Sequence, residues 1–238
     1  MKNDRNALKD LQHSLESIKG KLHVMEMNIP VEKQMEYFRF SETIRGNFAN
    51  EYSIEYQMRI LASPESSPSD IKYALAFLAV SGNVKAYRAI EAYSEQHLDD
   101  WTVMSLFQAK ITLESEFSDE RQIFISTGLG GKDDKLRFYA FFKSTDGEIF
   151  SDYQRKLIEK EIPFFIRKYQ GFPEEIQIRD NYFTLLFLIH IQVNIKTMLD
   201  EAIAECNQYG DFIHKGFIIT NVKVFTEEEI QIELKRKE

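Results

Sequence analysis

The residues best placed for chemistry lie in TGLGGKDDK, residues 127–135, where Gly128, Gly130 and Gly131 stand beside Lys132 and Lys135. A glycine-rich loop backed by lysine holds phosphate when its backbone N–H groups approach the anion and the loop opens a helix. The spacing departs from both phosphate patterns. G-x-x-x-x-G-K-[ST] ending at Lys132 needs glycine at 126 and a hydroxyl at 133, but the chain carries Ser126 and Asp133, and G-x-G-x-x-G from Gly128 also fails at Asp133. The loop then runs into LRFYAFF, whose alternation is that of a strand. It is read as a hairpin loop between strands at Gln122–Ser126 and Leu136–Lys143, its glycines permitting positive φ. Anion binding by Lys132 and Lys135 is the alternative.

The five histidines at 13, 23, 97, 190 and 214 never fall three or four apart, so no helical metal pair is present. His13 and His23 are read as surface residues, and His190 as a structural one at a strand end. Asp211 with His214, joined by His190, is the nearest acid–base constellation, and a cleft would have to bring them together. Cys206 falls on an apolar helical stripe and is read as a small buried hydrophobe. The acidic pairs Asp99-Asp100, Asp133-Asp134 and Glu174-Glu175 are placed in solvated turns. No catalytic residue, cofactor or metal is assigned.

The elements around these residues belong to a chain of 238 residues with 38 acidic and 30 basic side chains, a net charge of −8 and 43% hydrophobic residues. Such a chain fills real cores and on average repels phosphate backbones, so nucleic acid is not an expected partner. RFYAFF, residues 137–142, resembles in part the RNA-recognition signature K/R-G-F/Y-G/A-F-V-x-F/Y, but Phe138 replaces the glycine and Ser144 the last aromatic. The lone cysteine excludes an internal disulfide. The first ten residues lack a signal-peptide apolar region, and YFTLLFLI is far short of a span. No membrane association and a cytoplasmic location are expected.

Leu8, Leu11, Leu15, Ile18, Leu22, Met25 and Ile29 alternate in threes and fours up to Pro30. This predicts a heptad helix over residues 1–29, which either pairs with itself or a partner helix through residues 8–29, or packs along its own protein. Two helices follow within 31–62, then SPESSPS, residues 63–69, a linker and the best boundary signal in the chain, with Ser69 or Asp70 as the next cap. ALAFLAVSGNVKAYRAI, residues 74–90, is similar to the antiparallel pair of a HEAT-like α-helical repeat, and DDWTVMSLFQA looks like the start of another unit. The resemblance covers residues 68–116 and implies a protein-binding scaffold.

Beyond Ser118 a capping box at Ser151 and Gln154 opens a helix that Pro163 should kink or divide. A hairpin across Arg179-Asp180-Asn181 or one long bent strand, a helix from Asn194 to Gly210, a strand at Phe217–Phe225 and a helix opened by Thr226 with Glu229 complete the chain. The fold class is therefore α+β. A helical, HEAT-like region at 1–118 is followed, at 119–238, by an α/β sandwich with a mixed or antiparallel sheet of four to five strands and one helix layer. The sheet face with Phe124, Tyr139 and Phe141 must then pack on the helical half or meet a partner. Candidate interaction residues are Leu8, Leu11, Leu15, Ile18, Leu22, Tyr139 and Phe141. The expected function is a non-enzymatic protein-interaction adaptor with a protein partner; the alternative is an enzyme or small-molecule sensor with a site at the junction of the two halves.

Overall fold

The computed structural model describes residues 21–45, 51–120 and 122–236, and these fall into two compact units, residues 21–125 and residues 126–236. Helices dominate the first unit and an antiparallel sheet organises the second, so the chain is mixed α+β.

The first unit contains β1 (Lys21–Val24), α1 (Val31–Arg45), α2 (Glu51–Ala62), α3 (Pro68–Ala79), α4 (Val84–Ser94), α5 (Asp100–Phe117) and β2 (Gln122–Ile125). Its centre is α3. Every residue from Ala74 to Val80 is buried, because a helix that is apolar all round has no face to give to water. The alanines allow α1, α2, α4 and α5 each to pack against it. The helix starts earlier than expected. Ser67 Oγ accepts from the Asp70 backbone N–H at 3.2 Å, and Pro68 takes the first helical position, where a missing N–H costs nothing. Asn83 and Asp99 cap α4 and α5 in the same manner, with Asn83 Oδ1 2.8 Å from Lys85 N and Asp99 Oδ1 2.8 Å from Thr102 N. SPESSPS is thus a connection inside a unit, not a boundary.

Residues 21–29 are not helical. Leu22 lies in β1, which pairs in parallel with β2 from Lys21 opposite Gln122 to Val24 opposite Ile125. Met25 and Ile29 are buried beside Tyr37, Ile44 and Met104. Short apolar runs fit either period, and the backbone pairing offered by β2 decides the matter. Leu8, Leu11, Leu15 and Ile18 lie outside the described residues. Phe124 consequently belongs to the helical unit, stacked on His23 at 4.8 Å and edge-on to Phe107 at 6.2 Å.

The second unit contains β3 (Gly131–Lys132), β4 (Lys135–Ser144), α6 (Asp152–Lys168), β5 (Phe172–Ile178), β6 (Tyr182–His190), α7 (Ile195–Cys206), β7 (Ile213–Thr220) and α8 (Glu227–Lys235). Neighbouring strands are antiparallel in the order β7-β4-β6-β5, with β3 pairing the start of β4. The sequence β4-α6-β5-β6-α7-β7 therefore makes two split β-α-β units, each with a foreign strand between its own two. The final strand ends at Thr220, and residues 221–226 are not part of it.

On the inner face, Leu136, Phe138, Ala140 and Phe142 face Ile189, Phe187, Leu185 and Phe183 across the β4–β6 ladder, all buried. The Phe142 and Phe183 rings stack at 4.4 Å with an interplanar angle of 7°. Helix α6 lies on this side, since a Cβ at Gly171 would touch Ile189 at 2.6 Å and Ile166 of α6 at 2.8 Å. The capping box at Ser151 and Gln154 forms as expected, and α6 runs through Pro163 as one helix instead of dividing there. A proline inside a helix forfeits a hydrogen bond at a cost of about 3 kcal/mol. Burial of Ile158, Ile162, Phe165 and Ile166 on the same face offsets it.

Replacing Phe142 with alanine removes a fully buried ring from this stack. The expected loss is about 3–5 kcal/mol, read in chemical denaturation as a lower midpoint with an unchanged slope.

Candidate functional site on the outer sheet face

The glycine loop turns a corner. Asp133, with φ of 55°, and Asp134 form the two-residue turn joining β3 to β4, a conformation that aspartate tolerates. Its partner strand is therefore β3 and not Gln122–Ser126, which β1 has taken. Upstream, Leu129 N donates to Asn221 O at 3.0 Å, and Arg137 N donates to Gly130 O at 3.0 Å. A Cβ at Gly128 would overlap the carbonyl oxygen of Val222. The close approach that glycine permits here is to protein backbone. Lys135 is drawn to Asp134 at 3.1 Å; burial raises the Asp134 carboxyl, but Lys135 and His190 hold it below its ordinary value.

His190, Asp211 and His214 do not converge. His190 pairs with Lys135 at the start of β4, whereas Ile213 pairs with Ser144 at its end. That separation along the strand is about 30 Å at 3.4 Å per residue. His190 lies 3.6 Å from Asp134, and His214 Nδ1 accepts from Gly216 N at 2.9 Å. Cys206 is buried as expected, and burial, with Glu161 and Glu205 adding to it, pushes its thiol up to about 12. His23 is not a surface residue: its Nε2 lies 2.7 Å from Gln122 Oε1 and 2.9 Å from Glu114 Oε2, tying β1 to β2 and α5. Glu174 and Glu175 sit in β5 rather than a turn, Glu174 gripping Arg137 at 2.5 and 2.8 Å. Among the described residues, no group of three or more His, Cys, Asp or Glu side chains converges on a metal-sized point.

The outer face holds the remaining candidates. Tyr139 and Phe141 are buried, each 3% exposed, in a cluster with Leu129, Tyr182 and Ile230 of α8. They are covered by a second helix layer and do not form an open aromatic patch. The sequence FTEEEI, residues 225–230, explains the cover. Thr226 Oγ1 accepts from Glu229 N while the Glu229 carboxylate accepts from Thr226 N, a capping box. Phe225 and Ile230 flank it as a hydrophobic staple and enter the same cluster. Phe225 meets the Tyr139 ring at 5.2 Å.

A groove of about 160 Å³ runs beside this cover. Tyr139, Tyr182, Thr184 and Leu186 form its floor, Val224, Phe225, Glu227 and Ile230 one wall, and Glu175, Gln177 and Arg179 of β5 the other. The Tyr139 hydroxyl is buried without a hydrogen-bond partner. Burial raises its ionisation to about 12; Thr184 opposes that, although no well-formed hydrogen bond joins the two, and Tyr182, Glu227 and Glu229 reinforce it. The β5 row is linked internally, Arg179 donating to Gln177 at 3.3 Å and Gln177 to Glu175 at 2.6 Å. Sequence reasoning found Tyr139 but missed the row at 175, 177 and 179. Its two-residue period in a strand was the available signal.

A second groove, of about 220 Å³, lies at the other end of β4 around Ser144, Gly147 and Asn181. Both are smaller than the roughly 300–1,000 Å³ of pockets that enclose a free ligand. No helix among the described residues is long and apolar enough to cross a membrane. No family model matches the chain, and no curated protein matches it.

Gly128→Ala should destabilise the fold by about 1–3 kcal/mol through overpacking, whereas Lys132→Ala should stay within about 0.5 kcal/mol of the parent. Inorganic phosphate should shift neither denaturation midpoint. The Tyr139 phenol, compared with Tyr139→Phe by ultraviolet absorbance, should ionise near pH 12. Because the unfolded chain loses that proton first, near pH 10, its contribution to stability is complete below about pH 10 and falls as pH rises toward 12.

Proposed function

We propose that the protein is a non-enzymatic interaction adaptor, and that the groove beside α8 receives a side chain of a protein partner. The observation that carries this reading is the shape of the groove. At about 160 Å³ it has room for one side chain of a chain passing over it, and one flank is the polar row of β5. A partner docking here meets an apolar floor at Leu186 and a rim of charge at Glu175, Arg179 and Glu227, the usual composition of an interface core and its edge.

The helical unit supports the same reading. Each of α2, α3 and α4 packs on the helix that follows it, and α2 on α4 and α3 on α5, as stacked helix pairs do in scaffolds of the HEAT-like kind. A protein-binding role for this unit is part of the proposal.

Affinity capture with the full chain from cells that naturally express it tests the reading. A stoichiometric partner is expected, and Val224→Arg, at a 49% exposed groove position, should reduce its recovery about tenfold or more without altering the unfolding midpoint. Absence of any stoichiometric partner would overturn it.

A further inference from the structure

The adaptor reading leaves open which side chain the groove takes, and the inference that follows rests on that reading. We propose that the groove receives the ammonium group of a lysine from a basic segment of the partner.

The unsatisfied group in the floor is a phenol. Tyr139 Oη is buried with no partner, and a buried polar group left unpaired costs about 1–3 kcal/mol until a ligand supplies the missing bond. Around it the groove offers acceptors: the Thr184 hydroxyl and the carboxylates of Glu175 and Glu227. A lysine ammonium carries three donors and no acceptor, so it can donate to the phenol oxygen and to a carboxylate together, with the phenol O–H left to the groove's own acceptors. The bonds formed would be charge-assisted and correspondingly stronger than neutral ones.

Aromatic rings supply the second element. Tyr139, Tyr182 and Phe225 all line the groove, and ring faces attract cations. The groove's own cation, Arg179, is turned along β5 toward Gln177, which in turn bonds Glu175. Glu227 and Glu229 act on the Tyr139 phenol with negative sign, although Glu229 is itself engaged by Lys223 and by Thr226 N. Along the groove itself the carboxylates of Glu175 and Glu227 outnumber the single cation, Arg179, and this balance favours a positive guest. Size separates the two common cations. A compact ammonium on a flexible apolar stem fits 160 Å³ with point acceptors, whereas a guanidinium needs a flat, bidentate partner. A chain with net charge −8 also attracts a basic segment over a longer range.

The test is an amide-resolved NMR titration of the full chain with three capped glycine peptides, each carrying one central residue: lysine, norleucine or arginine. The lysine peptide should give saturable shifts confined to residues 175–186 and 222–230, with norleucine and arginine at least about tenfold weaker, the scale of a charge-assisted hydrogen bond. Glu227→Gln and Tyr139→Phe should each weaken lysine binding about three- to tenfold. Tyr139→Phe removes an unpaired hydroxyl and keeps the ring, so its fold is retained, and its spectrum outside the groove checks this. Equal binding of norleucine, stronger binding of arginine, shifts elsewhere on the surface, or variants that bind as the parent would each overturn the lysine assignment. The two readings separate in a parallel capture. If the partner is retained equally by the parent, Glu227→Gln and Tyr139→Phe, the lysine inference falls while the adaptor stands; if the parent captures none, the adaptor falls first.

Discussion

The structure depends on one constraint, that β4 is paired along both edges and buried on both faces. Nine consecutive residues of β4, Lys135 to Lys143, face β6, and β7 occupies its other edge from Tyr139 to Ser144. Because side chains alternate between faces, a slip of one residue would send Phe138, Ala140 and Phe142 to the side now held by Tyr139 and Phe141. Three devices fix the register. The Asp133-Asp134 turn sets the start, the Phe142–Phe183 stack the middle, and the irregularity between Phe142 and Ser144 the end.

Burial on both faces requires two covers, and they are built differently. The inner cover is broad, with α6 and α7 packed on one another. The outer cover is one short helix held by Phe225 and Ile230, and it lies over β4 in preference to the edge strand β5. What α8 leaves beside it is the groove, whose far wall is therefore polar where an inner-face strand would be apolar. The candidate site is thus a product of incomplete coverage. A fold of this topology carries no activity by itself, and any function must come from that local chemistry.

Local signals were legible in the sequence and partnerships were not. Both capping boxes, the Asn194 cap, the hairpin across Arg179 to Asn181 and the buried Cys206 follow from short-range rules, and each is found. Leu22 is in a strand and not a helix because a strand partner 101 residues away, at Ile123, outweighs a local heptad. The same long-range choice removed Gln122–Ile125 from the sheet unit and Phe124 from its outer face. Tyr139 was recognised as an outward aromatic, yet its cover was missed, although Phe-Thr-Glu-Glu-Glu-Ile signals a helix with an apolar underside. The helix is not divided at Pro163, because propensity says nothing of the packing that opposes a break.

The position of that cover along the chain sets an order in time. β4 is synthesised some ninety residues before Phe225 and Ile230, an interval of about 5–20 s at ordinary translation rates. Throughout that interval the Tyr139 and Phe141 rings have no lid within their own unit, and β7 itself arrives only shortly before α8. The nascent unit therefore presents an adhesive aromatic surface for seconds, the period in which a chaperone has most to do for it.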